Sequence, residues 1–353
     1  MKSNVKFAVL FIVALMLLAG CATGSTTSPE TTTTENVVIR VAAQATSGQV
    51  FQYLAEDNGY LEEEGIDVEM VYINSGADAF AALSSGQVDI LSTYGTGGPL
   101  IQIANGQDWT IFGGYMIIGA TPVFAMPDTE YNSVEDFRGK KIAIMRGGTP
   151  DVVLKGILYD AGFDLDEDVT FVEMRRNPDV MEAVRKGEVD FGAVSTGFEL
   201  QIAEMGMEIV LWPDELWPYH SCCRMLANTS WVDENPDAAE KLFRAYLRAE
   251  KDMNEDMSRV VELVVENLDM PEETAKSFLL SEHMIYDTDP FKNSVIKMWE
   301  KMNAFGYIED SSIKIEDHIN VDHYKAALDS LMMEYPDSTF FQEKLEMFKE
   351  HNL

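Results

Sequence analysis

Apolar and polar positions fall into short blocks along this chain, and the block from Ser75 to Ala104 sets the reading of the others. Phe80, Ala81, Ala82 and Leu83 give one apolar side of a helix that Asp78 can cap. Gly86 stops that helix, and Val88-Asp89-Ile90-Leu91 is short and β-branched, so a strand is predicted there. The polar run Thr93-Tyr94-Gly95-Thr96 leaves the strand end, where open α/β sheets hold their ligands. Roughly a hundred residues later the pattern is written again. Asp179 to Phe191 aligns without a gap on Asp78 to Ile90, with Gly187 and Asp190 in the places of Gly86 and Asp89. Asp67-Val and Asp168-Val stand at equal distances upstream, and Gln102-Ile-Ala has a looser echo in Gln201-Ile-Ala. Two half-similar β-α-β units predict two α/β lobes facing each other across a cleft.

The remaining blocks fit that plan. Strands are predicted at 37–43, 67–73, 109–115, 122–126, 139–145, 169–174, 189–194 and 207–211. Helices are predicted at 49–57 and 151–161, the second with Pro150 in its first turn, and Ser133 with Asp136 resembles a capping box. From Asn235 onward the chain reads as helical. Asn235 stands at the cap, Pro236 takes the first position, and Ala239, Leu242, Phe243, Tyr246 and Leu247 form the apolar face. Helices at 290–305 and 321–331 would wrap the first lobe, and the acid-rich tail after Pro336 reads as a peripheral helix. Crossings at 122–126 and 221–227 divide the chain into lobe one (36–125 and 226–353) and lobe two (126–225).

The amino terminus is an address rather than fold. Lys2 and Lys6 precede an apolar run from Phe7 to Leu18, and residues 1–20 read as a signal peptide. Leu18-Ala19-Gly20-Cys21 resembles a lipobox, in which Cys21 would carry lipid and hold the protein at the outer face of a bacterial or archaeal cytoplasmic membrane. Residues 21–35, mostly Thr, Ser, Gly and Glu, read as a flexible tether. The net charge of -34 disfavours a nucleic-acid partner, because a phosphate backbone wants a basic stripe. It does not exclude a small anionic ligand, because surface charge is screened beyond about 8 Å at physiological salt. With Cys21 lipidated, only the adjacent Cys222 and Cys223 remain, and neither they nor the 5 histidines give disulfide-framework or metal-ligand spacing. No cofactor or metal is expected.

Four stretches carry a family resemblance: Gly59 to Glu69, Ser75-Gly-Ala-Asp78, Ala82 to Ile90, and Gly139-Lys-Lys-Ile-Ala143 with Gly147-Gly-Thr149. Together they resemble the substrate-binding lipoproteins of ABC importers, in the branch that serves sulfonates, taurine, nitrate and thiamine-pyrimidine precursors. The resemblance implies a type II periplasmic-binding-protein fold, closure on a small ligand, and a permease with its ATPase as partners. It also implies binding without chemistry, so no enzyme is expected, and the chain is expected to act as a monomer. The implied ligand is a small organic anion of the sulfonate or taurine kind, or a heteroaromatic compound. One branch of the same superfamily is a thiamine-pyrimidine-precursor synthase with a run of three consecutive cysteines. His220-Ser-Cys-Cys-Arg224 matches that run only in part.

Loops that follow strand ends offer backbone N–H groups to sulfonate, carboxylate or phosphate oxygens. Such loops are Gln44, Thr46, Ser47 and Gly48; Ser75 and Gly76; Thr93, Tyr94 and Thr96; Gly147, Gly148 and Thr149; and Ser195 with Thr196. Each of these also reads as plain helix capping, and their agreement as a group is the stronger signal. Arg224 would give an anion a planar charged fork, or else pair with a neighbouring acid. Trp217 and Tyr219, with Trp212 nearby, would stack on a ring or pack as ordinary core. Asp89 and Asp190 read as local turn fixers, and Cys222 and Cys223 as small buried apolar residues.

Overall fold

The structure is a computed structural model that describes residues 36–45, 49–308 and 312–353. The predicted signal peptide, Cys21, the tether, and Thr46, Ser47 and Gly48 lie outside the described residues. In chain order the first part comprises β1 (Val37–Ala43), α1 (Val50–Asp57), α2 (Tyr60–Glu64), β2 (Ile66–Tyr72), α3 (Gly76–Ser84), β3 (Ile90–Leu91), α4 (Gly97–Ala104), β4 (Trp109–Gly114), β5 (Met116–Ile118) and β6 (Val123–Ala125). The middle part runs β7 (Lys141–Ile144), α5 (Thr149–Asp160), β8 (Thr170–Glu173), α6 (Asn177–Arg185), β9 (Phe191–Ala193), α7 (Glu199–Glu204), β10 (Glu208–Leu211) and β11 (Arg224–Asn228). The last part is α8 (Thr229–Glu234), α9 (Pro236–Glu255), α10 (Met257–Leu268), α11 (Glu272–Leu279), β12 (Ile285–Tyr286), α12 (Lys292–Ala304), α13 (Asp322–Glu334) and α14 (Thr339–Asn352).

Two 5-stranded sheets form, in the orders β2-β1-β3-β11-β4 and β10-β6-β9-β7-β8. They share one plan. In each, three parallel strands are followed by one antiparallel strand that the chain supplies from beyond a crossing: β11 for the first sheet, β6 for the second. The expected pair of α/β lobes is therefore present, and both lie in the compact unit Asn36–Leu353.

The repeated unit is built alike in both lobes. Helices α3 and α6 end on Gly86 and Gly187 with φ of 69° and 70°, a left-handed value that a side chain would oppose. The following amides turn back to close the helix, Gln87 to Ala82 O at 2.9 Å and Glu188 to Ala183 O at 3.0 Å. Asp89 then accepts the amide of Arg40 at 2.8 Å, and Asp190 accepts that of Lys141 at 2.8 Å. Each aspartate thus ties the entry of its strand to the head of the neighbouring strand. The cap of α3 is Ser75, which accepts the Asp78 amide at 3.3 Å, so Asp78 sits in the first turn rather than at the cap. Asn235 stands at the start of α9, but its amide turns back to Trp231 O at 2.9 Å and caps nothing.

An apolar cluster fills one side of the second lobe's sheet: Phe137, Ile142, Ile144, Leu154, Leu158 and Phe191 pack there. Fully burying side chains of this size is worth about 1.5–3 kcal/mol each. The first lobe is wrapped by α9, α10, α13 and α14, whose apolar faces share its main core. Helix α14 is not peripheral. It buries Phe341, Lys344, Phe348 and Asn352. Helix α12 does more than wrap lobe one: Val295, Met298 and Met302 share a cluster with Val152, Val153 and Ile157 of α5. On that flank Tyr307 donates to Asp151 Oδ2 at 2.6 Å and contacts Lys155, while Lys301 pairs with Asp160.

Candidate functional site

The ends of β3 and β7 bring the two lobes together. A Cβ on Gly95 would lie 2.9 Å from Thr149 Oγ1, and one on Gly97 would lie 2.9 Å from Gly147 O. Larger residues at either place would hold the lobes apart. Behind this contact runs the second crossing, where the Cys222 carbonyl accepts Thr96 Oγ1 at 2.8 Å and Thr149 Oγ1 at 3.5 Å. One hydroxyl comes from each lobe. On the first crossing, Thr196 donates to Ala120 O at 2.8 Å. Thr96, Thr149 and Thr196 are therefore gathered around the crossings.

Four of the loop amides expected to greet an anion are already engaged by the protein. Gly147 N–H donates to Asp151 Oδ2 at 2.7 Å, and Gly148 N–H donates to Met145 O at 3.1 Å. Gln44 N–H goes to Thr93 Oγ1 at 2.8 Å, and Ser195 N–H goes to Asn177 Oδ1 at 3.3 Å. Tyr94 turns its hydroxyl to Ile73 O at 2.8 Å, and Ser75 and Gly76 open α3.

Arg224 corrects the sequence reading most sharply. It is buried, and its guanidinium donates to Pro290 O at 2.8 Å, Cys223 O at 3.0 Å and Ser294 Oγ at 2.8 Å. It binds neither a salt-bridge partner nor open space: it staples β11 to the start of α12. Trp217 is buried beside Gly156 of α5 under Lys301, on the outer flank. Tyr219 stacks on Phe291 with ring centroids 5.7 Å apart and is 41% exposed. Neither aromatic reaches the group around the crossings.

Other aromatics line that group, and the sequence did not flag them. Tyr115 accepts the Val50 amide at 3.3 Å, and its ring meets Tyr286 edge-on at 5.8 Å. Burial, with Cys223, Cys222 and Glu199 close by, pushes the Tyr286 phenol up. Glu199 opens α7 just after the loop that leaves β9. Its Oε2 accepts Gly197 N–H at 2.9 Å, while Oε1 has no hydrogen-bond partner. The residue is half-buried overall, yet its carboxyl is deep enough that burial raises it to about 7. Buried polar atoms without a protein partner cost free energy, and here Gln49 Nε2, Thr121 Oγ1, Glu199 Oε1 and the Tyr286 hydroxyl all lack one. Gln49 heads α1 beside the amide that Tyr115 receives, and Thr121 lies on the first crossing. These are the atoms a ligand would complete. A buried atom left without a partner is a signal that only the folded chain can give. Among the described residues no three His, Cys, Asp or Glu side chains gather as a metal site.

The chain is similar to known proteins in sequence and in fold. The pattern of the NMT1/THI5 like family matches residues 48–257. The formylaminopyrimidine-binding protein of Halalkalibacterium halodurans is 22% identical over 310 residues, covering 82% of this chain and 90% of that protein. The 4-amino-5-hydroxymethyl-2-methylpyrimidine phosphate synthase of Aspergillus parasiticus is 26% identical over 216 residues, covering 56% of this chain and 60% of the other. The periplasmic aliphatic sulphonate binding protein SsuA of Escherichia coli superposes with a TM-score of 0.66 at 17% identity, covering 80% of this chain and 91% of its own. That likeness identifies the periplasmic-binding-protein fold.

Proposed function

The chain belongs to the NMT1/THI5-like family, and on that premise we propose that it is the extracytoplasmic solute-binding component of an ABC importer. It captures a small heteroaromatic compound between its lobes and delivers it to a permease. The anchor is the lipid on Cys21, and the working form is a monomer. One observation carries the choice of ligand: a buried carboxyl oxygen of Glu199 stands without a partner, with Tyr286 close by. Gly147 and Gly148 have given up their amides, Arg224 is occupied with carbonyls, and a carboxyl oxygen of Glu199 waits without a partner. A ring bearing N–H groups would satisfy that oxygen, whereas a sulfonate would fit only if the carboxyl kept its proton. Tyr115 and Tyr286 offer ring edges and faces beside it. The pyrimidine relative named above supports the same class.

Thermal shift with a panel of aminopyrimidines, alkanesulfonates, taurine and nitrate tests the reading. A ligand at about 100 times its dissociation constant adds about 2.7 kcal/mol of stability. An aminopyrimidine should raise the midpoint, and Glu199→Gln should weaken that binding by about 1–3 kcal/mol. Stabilisation by a sulfonate alone would overturn the choice of ligand. The alternative is a synthase like the fungal relative, which predicts turnover of a pyrimidine precursor by the purified protein.

A further inference from the structure

The adjacent thiols of Cys222 and Cys223 lie inside the crossing, and no role described so far uses them. Both are buried and unbridged, with their sulfurs 3.6 Å apart. Their backbone is fixed on every side. Cys222 N–H donates to Ile117 O at 3.2 Å and Cys223 N–H to Met116 O at 2.8 Å, while both carbonyls are engaged as described. The first crossing passes so close that a Cβ on Gly119 would fall 2.4 Å from Cys222 Sγ. Cys222 is thus the spacer between the two crossings. The Cys222 thiol as donor, and after it the Gly95 amide and the Arg224 guanidinium, favour the Cys223 thiolate against its burial.

A disulfide between neighbours in sequence is strained, and it would require the sulfurs to close to about 2.05 Å. A bridging atom asks for no such movement. Bonded to both at single-bond length and a pyramidal angle, such an atom holds its two sulfurs close to the 3.6 Å at which they already stand. We propose that Cys222 and Cys223 form a two-thiol site for a thiophilic group, of the trivalent arsenical class, set in the crossings between the lobes. An arsine oxide exchanges its oxygen for the two sulfurs: two S–H bonds and the As=O bond are lost, two As–S bonds form, one water leaves, and arsenic stays trivalent. The chelated atom needs space that Gly119 and Thr196 fill when the lobes meet. The loaded protein therefore stays open. This proposal does not depend on what the cleft binds.

Phenylarsine oxide on the native full-length protein, read by intact mass, tests it. The expected result is one adduct per chain with loss of one water, absent from Cys222→Ser and from Cys223→Ser, both of which retain Cys21. On the unaltered protein, a dithiol should strip the adduct and a monothiol at equal thiol concentration should not, which tests chelation even if a variant fails to fold. X-ray scattering should show a larger radius of gyration after loading. Labelling that survives in the Cys222→Ser/Cys223→Ser double variant, labelling that needs denaturant, removal by monothiol, or an unchanged radius would each overturn the proposal.

Discussion

The two lobes hold the same β-α-β unit in different surroundings. In the second lobe the sheet is covered by apolar side chains, with Phe137 and Phe191 packed edge-on at 4.8 Å. In the first, the wrapping helices meet over buried charge. Lys344 of α14 contacts Glu250 of α9 and reaches Asp287 Oδ2 at 2.5 Å. Thr288 N–H donates to Glu250 at 3.0 Å, and Asn352 donates to Asp289 at 2.7 Å. The shared unit needs only a glycine stop and an aspartate tie. The added helices are fixed by ions, so lobe one should be the more sensitive of the two to pH.

The largest expected effect removes the buried cation. Lys344→Met leaves Glu250 and Asp287 without their partner and should cost about 3–5 kcal/mol in urea unfolding. A loss below 1 kcal/mol would mean that the acids find other partners and that the contrast between lobes is weak. In lobe two the matching test is Leu154→Ala, a cavity mutation with an expected loss of about 2–4 kcal/mol that does not vary with pH.

The pH dependence sharpens the contrast further. Burial first, then the neighbouring Asp287, raises Glu250 to about 7 and Asp289 to about 6. Folded carboxyls that hold their protons more tightly than the unfolded chain stabilise the fold below the unfolded carboxyl range. That contribution is lost as pH rises through the folded values. The melting midpoint should therefore be higher near pH 5 than near pH 8, and Glu250→Gln should flatten the change. A midpoint that rises with pH across this window would contradict the assignment.

The smallest effect compares the aspartate ties. Asp89 also receives the Arg40 guanidinium, with Nη2 at 2.7 Å, while Asp190 has no such partner among its hydrogen bonds. Asp89→Asn should cost about 1.5–2 kcal/mol and Asp190→Asn about 0.5–1 kcal/mol, both read from unfolding curves. Equal losses would show that the Arg40 pair adds nothing beyond the shared tie.

The sequence carried the fold where local rules decide it. Gly86, Gly187, Asp89 and Asp190 announce their turns through residue type alone, and α9 shows its buried face by period. Helix α4 was missed because Gly97-Gly98-Pro99 reads as loop, whereas Gly97 is there to admit Gly147 of the other lobe. Arg224 was misread for a related reason. In so acidic a chain a rare cation suggests a ligand, but carbonyls brought from Ile117 and Pro290 by folding claim it first. Glu199 gave no signal, since one acid among many acquires meaning only when burial leaves its oxygen alone.

Strand β11 carries a consequence for how the protein is made. It pairs with β3 on one side and β4 on the other, so lobe one cannot close its sheet until the whole of lobe two has been threaded past. Closing a loop of roughly a hundred residues adds only a slowly growing entropic cost, but it delays the event. An incomplete chain ending before Arg224 would keep open the gap between β3 and β4 that β11 fills. Such an unfinished sheet edge invites pairing with other chains. The fold thereby favours a nascent chain kept extended until its end is free.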